Sequence, residues 1–356
     1  MFNFQCSIFN YQLVLLSNMK VYRNVDQLPP FRNAAVTIGT FDGVHEGHRK
    51  IITHLKEEAE NIHGETVIIT FHPHPRKVVS SPILGIRLLN TLDEKIELLA
   101  EAGVDHLVVI PFTEAFANQS AEDYIRDFLI KNFHPHTIIT GYDHRFGKDR
   151  LGDYRLLEKM APVYDYVLKE IPKHVLDEIN ISSTNIREAI VHSNIDIANK
   201  LLGYEFFFEG IVVDGDKLGR KLGYPTANLK MTDEEKIVLG NGIYAVYVDA
   251  DHEALIVNRG DKYTHSPLAT PSAAEGLPKA RRDSRSKGMM SIGFRPTVDG
   301  KKKVIEVNIF DFNREIYGET IRVYVKKFLR HEIKFNDLDE LVKQIDQDKI
   351  ESLKIL

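Results

Sequence analysis

Between Ala34 and about Lys200 short apolar runs alternate with amphipathic stretches, and beyond Tyr204 the chain changes to strand-like segments joined by Gly, Asp and Asn turns. These two rhythms call for two different architectures. In the first part the candidate strands are Ala35–Ile38, Thr66–Phe71, His106–Ile110, Thr137–Thr140 and Val163–Val167. Helical spacing of apolar residues fills the gaps, at Glu46–Ile62, Leu92–Ala102, Ala121–Phe133 and Asp153–Met160. Such alternation demands an α/β fold with a parallel sheet covered on both faces. Thr91 followed by Glu94 forms a capping-box start, and Gly103 a helix stop.

The second part reads Phe206–Val213, Ile243–Val248, Val304–Phe310 and Thr320–Val325 as strands. In Ile305-Glu306-Val307-Asn308-Ile309 the period of two sets Glu306 and Asn308 on one face and the apolar residues on the other. Asp337–Ile355 carries Leu338, Leu341, Val342 and Ile345 at helical spacing. An antiparallel barrel closed by a C-terminal helix fits these signals, with the boundary near Leu202–Phe206. The stretch 252–287, rich in Pro, Ser, Ala, Arg and Lys, does not fit the barrel and reads as a disordered insertion. Residues 1–18 lack the basic n-region and cleavage site of a secretory signal. They read as an extension outside the fold, which would start at Met19.

A net charge of −5 argues against nucleic-acid binding. The single cysteine, Cys6, excludes an intramolecular disulfide and fits a reducing cytoplasm. No apolar run reaches membrane-span length.

Chemistry concentrates at a few turns. Gly39-Thr40-Phe41-Asp42-Gly43-Val44-His45-Glu46-Gly47-His48 joins an apolar strand to a helix, where backbone N–H groups and a helix N-terminus favour an anion. His45 and His48, three apart, share one side and can donate hydrogen bonds to a phosphoryl group. An HxxH zinc pair would need a third and usually a fourth ligand, and His72, His74, His134 and His136 offer no firm spacing. Gly141-Tyr142-Asp143-His144-Arg145-Phe146-Gly147 leaves another strand end. In Ile181-Ser182-Ser183-Thr184-Asn185-Ile186-Arg187 hydroxyls at a helix start precede an arginine, a set able to bind phosphate, although Ser-Ser-Thr alone is an ordinary cap. The segment Gly210–Leu229 spaces Gly215, Gly219 and Gly223 between Lys217, Arg220 and Lys221, a flap able to close over phosphates without being a Walker A loop. Thr226 and Asn228, two apart, present oxygens of the kind that suits Mg²⁺.

The Gly39–His48 stretch resembles the HxGH signature of the nucleotidyltransferase superfamily in the GTFDGVHxGH form of bacterial FAD synthetases. The Gly141–Gly147 and Ile181–Arg187 stretches resemble their GxDxRFG and ISSTxIR elements. Gly210–Leu229 is similar to the riboflavin kinase pattern GxVVxGxxxGRxLGxPTANL, and Met289–Thr297 to its SIGxxPT strand. The chain is identified as a member of the bifunctional riboflavin kinase/FAD synthetase family.

That resemblance implies a Rossmann-like nucleotidyltransferase domain over 19–203 and a β-barrel riboflavin kinase domain with a C-terminal helix over 204–356. It implies phosphorylation of riboflavin to FMN and adenylylation of FMN to FAD, with ATP as co-substrate at both sites and Mg²⁺ as cofactor. It assigns His45, His48 and Arg187 to adenylyl transfer, with Gly39, Phe41, Asp42, Gly43, Ser182, Ser183 and Thr184 around the ATP phosphates. Asp143, Arg145 and Phe146 would position the flavin nucleotide. In the kinase half Gly215, Lys217, Gly219, Arg220 and Gly223 would meet the ATP phosphates, Thr226 and Asn228 the Mg²⁺, and Arg330 the flavin. Glu306 would be the general base; without the resemblance it reads as a polar residue on the wet face of an edge strand.

His72 stands where relatives often carry an acid, and His331 where many have Asp. The implied partners are riboflavin, FMN and ATP, without nucleic acid or membrane, in the cytoplasm; a homo-oligomer is left open. Two alternatives stand beside this reading. One is a single-activity FAD synthetase whose insertion-bearing barrel only binds flavin, and the other is a non-catalytic flavin-binding regulator.

Overall fold

The computed structural model describes residues 19–23, 25–79, 86–141, 144–171, 181–215, 218–251, 285–297 and 300–356. The first part contains β1 (Lys20–Tyr22), β2 (Ala35–Ile38), β3 (Thr66–His72), β4 (His106–Pro111), β5 (Thr137–Gly141) and β6 (Val167–Ile171). All pair in parallel, in the order β1-β4-β3-β2-β5-β6. From β2 the chain builds toward β3 and β4 on one side and then toward β5 and β6 on the other. The strand order therefore reverses between β2 and β5, and the loops leaving them part to form a crevice at the carboxyl edge. Two of the motifs, Gly39–His48 and the one beginning at Gly141, leave the sheet there; Tyr142 and Asp143 lie outside the described residues.

Alternation along each strand feeds two separate cores. Ala35, Ile68 and Leu107 pack with Ile52 and Leu55 of α1 (Glu46–Asn61) and with Ile96 and Leu99 of α2 (Leu92–Glu101). Val36, Val67 and Val108 pack on the opposite face with Ile125, Phe128 and Phe133. Those residues belong to the helical stretch Ala121–Phe133, whose middle, Tyr124–Ile130, is π-wound. With both faces covered, the strands read as nearly continuous apolar runs. This is the Rossmann-like arrangement expected. The Thr91 capping box is present, and Gly103 ends α2 at φ +76.

One strand is displaced from its expected place. Of the run Val163–Val167, the first two residues end α3 (Tyr154–Tyr164), Asp165 closes that helix in the left-handed region at φ +55, and β6 begins only at Val167. Val163 and Val167 are 66% and 46% exposed, so their β-branched character reflects no buried strand.

The helices α4 (Ser183–Val191) and α5 (Ile195–Leu202) lead into the second part. There β7 (Phe207–Val213), β8 (Ala227–Met231), β9 (Gly242–Asp249), β10 (Ser286–Thr297), β11 (Gly300–Ile309) and β12 (Thr320–Arg330) close an antiparallel barrel in the order β10-β11-β8-β7-β12-β9. The helix α6 (Leu338–Ile355) lies against β9, β10 and β12. Residues 252–284 lie outside the described residues. The expected insertion ended at Lys287, but Ser286 and Lys287 pair with Val248 and Tyr247 as part of β10. Their polar side chains had hidden the strand start. Pairing continues from there to Ile292 opposite Gly242, so the β9–β10 ladder is intact.

Helix α2 also joins the two halves. Glu94 forms a buried ion pair with Lys236, whose Nζ also donates to the Leu89 carbonyl at 2.8 Å. Arg322 of β12 donates to Glu97 at 2.7 Å and to Glu209 at 2.6 Å. Leu88 exchanges backbone hydrogen bonds with Glu235 and Ile237, both at 2.8 Å.

Candidate active sites

The β2–α1 turn is held in a backbone shape that side chains ordinarily resist. Phe41, Gly43 and Val44 have φ of +47, +93 and +33. Only glycine adopts that region without strain, and at Gly43 a Cβ would also stand 2.7 Å from the Leu89 side chain. Phe41 and Val44 are held there by complete burial of their side chains. Asp42 secures the turn from several sides. Its carboxylate accepts from the Leu89 N–H at 2.9 Å and the Asn90 N–H at 3.3 Å and pairs with Arg187, while its carbonyl accepts from Ser183 Oγ at 2.9 Å. The Tyr204 hydroxyl donates to the Gly43 carbonyl at 2.6 Å.

His45 caps α1, its Nδ1 accepting from the His48 N–H at 3.4 Å. The two imidazoles stack with centroids 3.8 Å apart and planes 14° from parallel. Gly47 leaves room for this, since a Cβ there would lie 3.2 Å from the His45 ring. Burial holds His45 down at about 4 despite the nearby Asp42 carboxylate. Burial, then the charges of His45 and Lys95, push His48 well below its ordinary value. Both rings are therefore neutral at neutral pH. Because His45 Nδ1 is an acceptor, its proton resides on Nε2, which becomes a hydrogen-bond donor.

His74 is also buried and held at about 4, mainly by desolvation, with Asp42 opposing and Lys95 assisting. A histidine whose folded value lies below 6.5 binds fewer protons folded than unfolded as pH falls, so stability present above pH 6.5 is lost progressively down to pH 4. For His45 and His74 the loss at pH 5 is about 2 kcal/mol each. Thermal denaturation should show a lower Tm at pH 5 than at pH 7, with a smaller drop in His74→Gln. A Tm constant over that range would contradict neutral buried imidazoles.

The turn thus gathers Gly39, Phe41, Asp42, Gly43, His45, His48, Ser183 and Arg187. Ser182 caps α4 by accepting from the Asn185 N–H at 3.1 Å, and Thr184 is exposed. Arg145 faces Asp153 at 3.3 Å, while Phe146 is buried against Tyr124 with centroids 5.0 Å apart. Sequence reasoning gave no site role to three residues that the structure sets at or beneath the turn: Lys95, His74 and Tyr204. The signal for His74 was present, in the Pro73-His74-Pro75 turn at the end of β3.

In the barrel Glu306 of β11 pairs across strands with Asn228 of β8, and Thr226 Oγ1 lies 3.5 Å from Glu306 Oε2. β11 has neighbours on both sides, β10 and β8, so Glu306 does not sit on an edge strand. Asn308, on the same face, is buried and donates to the Pro225 carbonyl at 2.6 Å. Gly215 lets the flap backbone lie against the Asn228 amide, where a Cβ would collide, and Gly223 turns the chain at φ +84. The Gly219 carbonyl accepts from the Tyr224 N–H at 2.8 Å. Arg220 lines a cleft of about 90 Å³ with Thr226, Val307, Phe312, Arg314 and Tyr317. Lys217 lies outside the described residues. Arg330 is held elsewhere, in a two-point pair with Asp348 of α6 at 2.8 and 2.6 Å. The register Arg330–Ile243–Ser291–Glu306 sets it three strands from Glu306, roughly 14 Å across the sheet.

A turn bearing glycines and stacked histidines at a parallel-sheet switch point and an oxygen-rich row on a closed barrel give the chain two candidate sites, one in each half. A family model for FAD synthetase matches residues 29–185, and one for riboflavin kinase matches residues 202–356. The chain belongs to the bifunctional riboflavin kinase/FMN adenylyltransferase family. It is 34% identical over 334 residues to the member from Escherichia coli K12, covering 93% of this chain and 96% of that one. It is also 34% identical over 318 residues to the member from Listeria monocytogenes, covering 89% and 90%. A crystal structure from Streptococcus pneumoniae, described as a macrolide-efflux protein, is similar with a TM-score of 0.76 and 30% identity over 93% of this chain and 97% of that one. Among the described residues no helix is long and apolar enough to cross a membrane.

Proposed function

We propose that this chain phosphorylates riboflavin to FMN in a kinase domain over 204–356 and adenylylates FMN to FAD in a domain over 19–203. ATP is the co-substrate at both sites. The observation that carries this reading is the stacked, neutral His45–His48 pair at the switch-point turn, on the same polypeptide as the Glu306 row of the barrel.

In the first domain an oxygen of the FMN phosphate attacks the α-phosphorus of ATP, and the bond to pyrophosphate breaks. No side chain need form a covalent bond, so rate comes from alignment and charge. His45 and His48 donate to phosphoryl oxygens as neutral N–H groups. Arg187, tied to Asp42, and Ser183 fix the turn and add positive charge and a hydroxyl beside the triphosphate. Asp143 and Arg145 position the flavin nucleotide, and Phe146 supports that segment from the core.

In the second domain Glu306 takes the proton from the riboflavin 5′-hydroxyl as its oxygen attacks the γ-phosphorus, and ADP leaves. Two neutral side-chain oxygens beside a carboxylate form a hard donor set that fits Mg²⁺. Thr226 and Asn228 would hold it, and bound Mg²⁺ offsets charge on the phosphates. Gly215, Gly219, Arg220 and Gly223 belong to the flap over those phosphates. Arg330, anchored to α6 through Asp348, would contact the flavin.

Chromatography of products separates the readings. With ATP and Mg²⁺, riboflavin should yield FMN and then FAD, and FMN should yield FAD and pyrophosphate. FAD from FMN without FMN from riboflavin would identify a single-activity synthetase. Flavin binding without pyrophosphate release would identify a regulator.

A further inference from the structure

Helix α2 is buried along most of its length because sheet and barrel flank it, and it carries buried charges at Glu94, Lys95 and Glu97. Lys236 neutralises Glu94 and Arg322 neutralises Glu97. Lys95 has no such partner: it is 6% exposed, and no carboxylate among the described residues lies within salt-bridge distance of its Nζ. Instead Nζ donates to the Thr40 carbonyl at 2.7 Å and lies 3.5 Å from Thr70 Oγ1. The Thr70 hydroxyl donates to the same carbonyl at 3.1 Å.

Two donors on one carbonyl fix the Thr40–Phe41 peptide. A trans peptide sets its C=O and N–H in opposite directions, so the Phe41 N–H points away from Lys95. Among the described residues that N–H has no acceptor. The charged and titratable groups facing Lys95 are Asp42, His48 and His74. Asp42 is already paired with Arg187, and both imidazoles are neutral. Two cations, Lys95 and Arg187, thus face one carboxylate. An unpaired buried ammonium costs stability, and nothing else in this corner offsets it.

We propose that Lys95 is a positioning residue for adenylyl transfer: from beneath the β2–α1 turn its ammonium fixes the Thr40–Phe41 peptide and supplies the counter-charge that the nucleotide phosphates complete. This rests on the reading of the first domain as an FMN adenylyltransferase. It also explains why a lysine occupies a position where a methionine would fold as well or better.

The test compares Lys95→Met and Lys95→Gln with the wild type, in the full chain. It measures FAD formation from FMN, FMN formation from riboflavin, and Tm. Both variants should lose about tenfold to a hundredfold in kcat/KM for FAD formation, keep wild-type FMN formation, and melt at the wild-type temperature or above. A second readout is the pH profile. Burial holds Lys95 at about 8, with Asp42 opposing. Wild-type kcat/KM for FAD formation should therefore decline above that pH, and both variants should lack this alkaline limb. Lys95→Gln within twofold of wild type would overturn the proposal, since glutamine offers a neutral donor on a side chain one bond shorter and carries no counter-charge. So would an alkaline limb that persists in both variants, or failure of both to fold, which would make the role structural. A wild-type protein that forms no FAD would instead sink the adenylyltransferase reading on which the proposal depends.

Discussion

His48→Ala should lower FAD formation from FMN by at least about a hundredfold, the scale expected when a donor to a developing phosphoryl charge is removed. FMN formation from riboflavin should stay at its wild-type rate. The imidazole is stacked on His45 and tilted against Phe41 with ring centroids 4.8 Å apart, so its orientation is set before substrate arrives. Its Nδ1 is buried and has no hydrogen-bond partner among the described residues. A buried polar atom left without a partner costs free energy unless a ligand satisfies it. Being neutral, the ring acts as a hydrogen-bond donor and not as a fixed cation, so its loss should appear mainly in kcat. Both products measured on one sample decide the matter: loss of both activities in a folded variant would contradict separate active sites.

Where local pattern coincides with local structure, the fold could be read directly. Ala35–Ile38 and the helix from Glu46 were legible because an apolar run, a glycine turn and helical spacing all fall within thirty residues of one another. The capping box at Thr91 was legible because its two partners are three residues apart. The three-residue strand β1 was not, since so short a segment shows no alternation. Val163–Val167 misled because β-branched residues on an exposed helix end and an exposed edge strand look like a buried run.

The candidate sites divide in the same way. The Gly39–His48 turn carries its chemistry within one segment. Lys95, by contrast, follows Glu94 on an amphipathic helix and reads as a solvated lysine. Only the sheet beneath it and the barrel beside it make it a buried charge. The ion pairs that enclose it join Glu94 to Lys236 and Glu97 to Arg322, partners 142 and 225 residues apart, and no spacing rule reaches so far. Asp42 was named for phosphates, yet the structure commits its carboxylate to Leu89, Asn90 and Arg187. What the structure shows of it is that it holds the β2–α1 turn in shape.

Glu306→Gln should have the converse effect, cutting FMN formation by about a hundredfold to ten-thousandfold, the range for losing a general base, while FMN is still converted to FAD. Glutamine preserves the length and shape of the side chain beside Thr226 and Asn228 but removes its negative charge and, with it, its ability to accept a proton. The strand should not move, because Ile305 and Val307 bury the other face of β11 and both neighbouring strands pair with it. Glu306→Ala would test the same role less cleanly, since it also removes the group that Thr226 faces at 3.5 Å. An alkanol needs help to lose its proton at the moment of attack, so a base whose removal costs nothing is no base. Undiminished FMN formation by Glu306→Gln would therefore take Glu306 out of that role, and among the described residues no other carboxylate pairs across strands with Asn228 to replace it.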